Sequence, residues 1–317
     1  MGFAPAYRLK AAGHVLELGA KPYLMGVVNA SPDSFSDGGR YRNLADRLGL
    51  AAELLEAGAD IIDVGGESAS TNRPAVDPAE EIERVVPLIE RLVGDFGAVV
   101  SIDTYKPAVA QAAVVAGASI VNDVSGLRDP ALAGVCAESG AALVVMHTSA
   151  APKQRLQDPD LYGDIVEEVL SFLSERIALA LQEGVAHEQL IVDPGPDFAK
   201  TPAQTVELLA GVSRLHELGC PLLMAISRKD FIGALTGRSP RERLPGTLAA
   251  LAYGVDRGAH IFRVHDVAAA ADYLKVRAAL SGESPPNRDL ALAEELRYDK
   301  SATEQIADAQ PVADVQP

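Results

Sequence analysis

Eight short apolar runs in this 317-residue chain each end on a residue that can do chemistry. In order the tips are Asn29, Asp63, Asp103, Asn122 with Asp123, Met146 with His147, Asp193, Ser227 with Arg228 and Lys229, and Arg263 with His265 and Asp266. Singly they have plain structural readings. Asp or Asn at a strand end caps the following helix, and that reading competes evenly with function at Asp63, Asp123 and Asp266. His147 alone reads as a satisfied structural histidine. As a set they bring acceptors, an amide, cations and a thioether to one rim. Asp103, Asn122 and Asp193 suit a flat heterocycle with several ring N–H donors and acceptors, pterin-like or guanine-like. Carboxylates pair with an amino-pyrimidine edge, and an asparagine supplies donor and acceptor together. Lys229, Arg263 and His265 suit an anionic leaving group such as phosphate or pyrophosphate. Asn29 offers a neutral oxygen to Mg2+, an ion that keeps several waters and bridges phosphate oxygens.

These tips need a scaffold that presents them together. The runs at 22–29, 61–66, 99–104, 119–124, 142–147, 190–195, 222–227 and 260–266 are short and almost wholly apolar, the mark of buried parallel strands. Helical patterns follow at 44–58, 79–93, 106–116, 130–139, 160–184, 202–217, 242–257 and 267–280. Glycines at 58, 117, 140 and 258 stand where helices are closed off. Eight strand–helix units over about 250 residues predict an α/β fold of the (β/α)8 TIM-barrel type, whose site lies at the C-terminal ends of the strands. An open doubly wound sheet is the alternative, but no GxGxxG follows Asn29. After the first strand comes a polar loop, 30–39, carrying Asp33, Phe35 and Asp37. Residues 7–19 alternate around Ala12-Gly13 and predict a hairpin that plugs one end of the fold. The expected organisation is an N-terminal hairpin extension over 1–21, the barrel over 22–281 and a flexible acidic C-terminal tail over 282–317.

Composition limits the partners. The net charge of −16 disfavours nucleic acid and membrane surfaces, so an anionic substrate needs a local cationic pocket. There is no tryptophan, and aromatic residues make up 5%, so the core is aliphatic. Cys136 and Cys220 are too few and too far apart for a disulfide framework or a zinc site and read as reduced thiols. No signal peptide or membrane-length apolar run is evident, and a cytoplasmic protein is expected.

The segments MGVVNASPDSFSDGG (25–39), GADIIDVGGES (58–68), VSIDTYKPAVA (100–110), VNDVSG (121–126), DPGPDFAKT (193–201), SRKDFIG (227–233) and RVHDV (263–267) resemble the ordered motifs of dihydropteroate synthase. The resemblance covers about residues 22–281 and implies a TIM barrel. It implies an enzyme joining 6-hydroxymethyl-7,8-dihydropterin diphosphate to p-aminobenzoate, with release of pyrophosphate, in folate biosynthesis. It also implies a homodimer and the cofactor Mg2+. By the same resemblance Asn29 binds the metal. Asp103, Asn122, Asp193 and Lys229 hold the pterin, with Asp63 and Met146 beside it. Arg263 and His265 take the pyrophosphate, while Ser227 and Phe198 border p-aminobenzoate. Lys229, Asp103, Arg263 and His265 carry the catalytic roles.

Three places depart from the family pattern. After GGES the usual Thr-Arg-Pro-Gly is replaced, and Arg73-Pro74 falls about three places late; Arg73 is nevertheless expected to reach p-aminobenzoate. Asp197 stands where glycine is common. Asp230 follows Lys229, where a neutral or basic residue is usual. Residues 229–230, 242–250 and 260–269 also resemble a divergent actinobacterial type of homologue that need not make dihydropteroate. A pterin binder without synthase activity is therefore the second reading. A pterin-dependent methyltransferase is the third, disfavoured because it needs no anion clamp.

Overall fold

The computed structural model describes residues 4–30, 43–68 and 74–297. They form a two-stranded antiparallel hairpin, β1 (Tyr7–Ala11) and β2 (His14–Leu18), and an eight-stranded sheet. The sheet strands are β3 (Tyr23–Asn29), β4 (Ile61–Gly65), β5 (Val100–Asp103), β6 (Ile120–Asp123), β7 (Ala142–Met146), β8 (Leu190–Asp193), β9 (Leu223–Met224) and β10 (Ile261–Val264). The order β8-β7-β6-β5-β4-β3-β10-β9 is parallel throughout. A Val192–Leu222 bridge joins β8 to the segment entering β9 and closes the ring. This is the expected (β/α)8 barrel.

Two apolar layers account for closure. Leu24, Val28, Ile62, Val64, Ile102, Val121, Leu143 and Val145 face outward and pack under the helices. Met25, Ile61, Ile120, Val144, Ile191, Leu223 and Ile261 fill the interior. Leu9, Ala11, Leu16 and Leu18 of the hairpin join that interior cluster. The alternation along β1 and β2 thus turns one face into a stopper for the N-terminal end of the barrel.

The helices are α1 (Leu44–Glu56), α2 (Pro78–Phe96), α3 (Pro107–Val115), α4 (Ala131–Ser139), α5 (Ile165–Gln182), α6 (Pro202–Ala210), α7 (Asp230–Thr236), α8 (Leu244–Val255) and α9 (Val267–Ser281). Three of them differ from the sequence expectation or are new to it, and so does one strand. The helix expected from 160 starts at Ile165, because the Asp164 carboxylate caps the N–H groups of Val166 and Glu167. The helix expected over 202–217 stops at Ala210. Gly211 breaks it, and residues Val212–Leu218 continue as tighter 3-10 turns. The strand expected over 222–227 pairs with β10 only at Leu223–Met224, so Ser227 lies beyond the ladder. The chain turns there at Arg228, φ 57°, whose N–H donates to Thr247 Oγ1. Helix α7 was not anticipated: seven residues are too few to display helical periodicity.

The chain divides into two compact units, Met1–Leu274 and Lys275–Pro317. The first contains the hairpin and the barrel strands. The described part of the second includes the Arg277–Glu283 ion pair and a 3-10 turn at Glu294–Leu296. Among the described residues no helix is long and apolar enough to cross a membrane.

Candidate active site

The strand register assembles the site. Asp103, the last residue of β5, is level with Gly65 of β4 and Asn122 of β6, and Met146 of β7 is level with Asp193 of β8. Parallel strands of matched length therefore bring their polar tips to one level, where a cavity of about 400 Å3 opens. Asp103, Phe198 and Lys229 line it, with Glu67, Thr104 and Tyr105.

Below that opening lies a charged cluster. Arg263 Nε donates to Asp63 Oδ2 at 2.6 Å, and its Nη2 donates to Asp103 Oδ2 at 2.8 Å. Asn122 Nδ2 approaches both Asp63 oxygens at 3.4 and 3.5 Å, the weak end of hydrogen bonding. Asp63 is fully buried and Asn122 and Asp193 nearly so. Burial pushes Asp103 up to about 7, against the pull of Arg263 and with the push of Asp63. Burial likewise lifts Asp193 to about 6, although the Gly195 N–H donates to it at 2.7 Å. Burial also works against the Arg263 charge, but Asp63 and Asp103 outweigh it and hold the guanidinium above its ordinary value. Lys229 is held below the usual lysine range by burial, with Asp197 and Asp193 opposing that effect. Its ammonium sits 4.3 Å from the Phe198 ring centroid, a cation–π contact.

Ser227 Oγ accepts from the His265 backbone N–H at 3.2 Å and lies 3.0 Å from its Nδ1. The serine therefore orients the imidazole. Asp266 receives Arg228 through both Nε and Nη2. Asp123 accepts from the N–H groups of Ser125 and Leu127. The capping-type reading thus describes Asp123, whereas Asp63 and Asp266 hold arginines. Arg73, Asp33, Phe35 and Asp37 lie outside the described residues. His147 is structural: its Nδ1 faces Lys200 Nζ at 2.8 Å, and burial and then that cation push it down to about 2.

Several residues near the site escaped sequence reasoning. Lys200 is fully buried, donating to the carbonyls of Gly195 and Phe198 at 2.9 and 3.0 Å. Gly195 has φ 65°, and a Cβ there would come 2.1 Å from the His147 carbonyl oxygen. Only glycine permits that approach. At the mouth Glu67 pairs with Lys106 at 2.5 Å and Lys153 at 2.9 Å, and Lys106 also pairs with Glu81 at 2.6 Å. Two adjacent motifs, GGES and TYKP, held the signal, but the pairing itself is long-range.

Among the described residues no group of three or more His, Cys, Asp or Glu side chains is arranged to hold a metal. The donor chemistry near Asn29 still fits Mg2+. Asn29 and Asp103 lie close together at these tips: a Cβ built at Gly65 would meet Asp103 Cβ at 3.7 Å and Asn29 Oδ1 at 3.9 Å. A neutral amide oxygen at a strand tip suits an ion that takes its remaining ligands from phosphate and water.

Comparison with known proteins decides the family. Residues 25–265 match the family model described as Pterin binding enzyme. The chain belongs to the pterin binding enzyme family. Among its relatives, the dihydropteroate synthase of Escherichia coli (strain K12) is 40% identical over 269 residues, 85% of this chain and 95% of that one. The Bacillus subtilis (strain 168) dihydropteroate synthase is 41% identical over 261 residues, 82% of this chain and 89% of the relative. The Xanthomonas albilineans dihydropteroate synthase with 4-aminobenzoic acid superposes with a TM-score of 0.80. It is 43% identical over 87% of this chain and 99% of that chain. A structure of that enzyme with 7,8-dihydropteroate gives a TM-score of 0.77 at 43% identity, covering 86% and 98%. The resemblance to dihydropteroate synthase read from the motifs thus extends over most of this pterin binding enzyme and to its fold.

Proposed function

We infer that this chain is a dihydropteroate synthase, transferring the pterinylmethyl group of 6-hydroxymethyl-7,8-dihydropterin diphosphate to p-aminobenzoate. The observation that carries the reading is the buried Arg263–Asp63–Asp103 cluster, with Asn122 against it, at the strand tips of a barrel like those of the synthases. Asp103 and Asp193 accept the pterin N–H groups, and Asn122 adds a donor and an acceptor. Lys229 and Met146 complete that pocket, and Asp63 anchors Arg263. Arg263 and His265 face the diphosphate, and Ser227 holds the imidazole in position. The C–O bond to the diphosphate breaks with its electron pair leaving on pyrophosphate. The arylamine nitrogen forms the new C–N bond beside Phe198 and loses a proton. No covalent nucleophile is required. Stabilising the departing anion and the electron-poor pterin methylene supplies the acceleration. Mg2+ held by Asn29 would supply charge neutralisation to the diphosphate. Arg73 is the proposed contact to the p-aminobenzoate carboxylate.

The same reading takes 22–281 as the catalytic barrel, with 1–21 as the hairpin extension and 282–317 as the acidic tail. It takes the enzyme as a cytoplasmic homodimer, which light scattering on the purified protein tests. Incubation with pterin diphosphate, p-aminobenzoate and Mg2+ should yield equimolar dihydropteroate and pyrophosphate. The gene should also restore growth to a strain lacking its own synthase. Tight pterin binding without product or growth would move the assignment to the divergent pterin-binding homologue.

A further inference from the structure

We infer that Asp197 is a positioning residue of this enzyme, clamping the loop after β8 to the start of α7 so that the Lys229 ammonium is fixed over Phe198. Helix α7 begins directly after Lys229, whose own side chain makes no capping hydrogen bond to it. The first N–H groups of a helix need partners. Here they find one from another loop. Asp197 Oδ2 accepts from the backbone N–H of Asp230 at 2.5 Å and of Phe231 at 3.4 Å. Its other oxygen accepts from Thr205 Oγ1 at 3.1 Å, and the same hydroxyl accepts from the Asp197 N–H at 3.1 Å. Thr205 is fully buried on α6, so the carboxylate is aimed from a rigid element.

Two contacts then meet on Lys229 from one dipeptide. Asp197 grips the backbone that follows it, and Phe198 underlies its ammonium at 4.3 Å. Arg243 fastens the other side, with Nη1 donating to the carbonyls of Arg228 and Lys229 at 2.9 and 3.1 Å. Asp197 adopts φ 66°, a conformation that costs a side chain and that glycine accepts freely. Asp197 is also the first of the carboxylates sustaining the Lys229 charge against burial.

The inference rests on the synthase reading, and the variants separate the two. Asp197→Gly removes the carboxylate while relieving the backbone, so fold stability is not the limiting concern. Asp197→Asn keeps an acceptor for the Asp230 N–H and tolerates the left-handed conformation. Measured well below each thermal midpoint, kcat/KM should fall by about tenfold in the glycine variant, through a misplaced ammonium rather than lost folding. The asparagine variant should recover it to within about twofold. Wild-type kcat/KM in the glycine variant overturns the inference. So does an asparagine variant as impaired as the glycine one, because charge rather than clamping would then be responsible. Should the wild type form no dihydropteroate, the synthase reading fails, and calorimetry of pterin diphosphate binding decides the clamp alone. Weaker binding in the glycine variant, restored in the asparagine variant, supports it, and equal affinity in wild type and the glycine variant overturns it.

Discussion

Pterin binding should release protons, and the amount follows from the two raised carboxyl groups. Burial pushes Asp103 up to about 7 and Asp193 to about 6, so the free enzyme at neutral pH holds part of a proton on the first and less on the second. Pterin N–H groups favour the ionised carboxylates, so closing the pocket on the ligand should expel a fraction of a proton at pH 7 and more at pH 6. The sign is fixed by linkage. Binding that expels protons strengthens as pH rises, so pterin affinity should climb from pH 5.5 to 7.5 and level off above about 8. Titration calorimetry of 6-hydroxymethylpterin in buffers of different ionisation enthalpy reads the number directly, as the slope of apparent enthalpy on buffer enthalpy. Asp103→Asn should remove most of the pH 7 release. Normal pterin binding with no proton exchanged at pH 6 and 7 would refute the assignment of the N–H acceptors.

Removing Arg263 by Arg263→Met leaves the fully buried Asp63 and the nearby Asp103 without their cation, an imbalance worth roughly 3–5 kcal/mol in a buried pair. Denaturant melts should show that loss, and an isolated pyrophosphate titration should show weakened binding. Gly195→Ala drives a methyl group into the His147 carbonyl and should cost more than about 3 kcal/mol, seen as a large fall in thermal midpoint or loss of soluble protein. Glu67→Gln removes the carboxylate that Lys106 and Lys153 share, though Lys106 keeps Glu81, and the expected result is a lowered denaturant midpoint with little change in pterin affinity. Cys136 and Cys220 are buried, and burial lifts them to about 12 and about 11. Neither should react with iodoacetamide at pH 8 until the protein unfolds, which mass spectrometry of alkylated peptides checks.

The barrel was legible because parallel strands covered on both faces leave runs such as Ile61–Gly65 with no polar residue except those destined for the rim or the interior. Asp103 and Asn122 were legible for the same reason, each standing at the polar end of such a run, and Lys229 follows two residues after another. What local spacing does not carry is which tips meet. Arg263 lies 200 residues from Asp63, and nothing in RVHDV announces that its guanidinium is already held by two carboxylates. The Glu67–Lys106–Glu81 network was hidden likewise, with Lys106 read as a helix start. The run at 222–227 misled in the opposite direction. Its apolar character continues past Met224 because those side chains remain buried after the ladder has ended.

The hairpin stopper dictates traffic. With Leu9, Leu16 and Leu18 seated in the lower end of the barrel, the way in among the described residues lies at the strand tips. The floor at Asp63, Asn122 and Asp193, where the heterocycle is proposed to lie, is nearly closed to solvent, whereas Phe198 and Asp197 stand partly exposed. A molecule resting at the entrance bars the way to the floor. With the substrates placed as proposed, occupancy should proceed as in a dead-end street: the pterin arrives before the arylamine. Excess p-aminobenzoate lodged early becomes an obstacle to its own reaction, and turnover waits on the last product to back out.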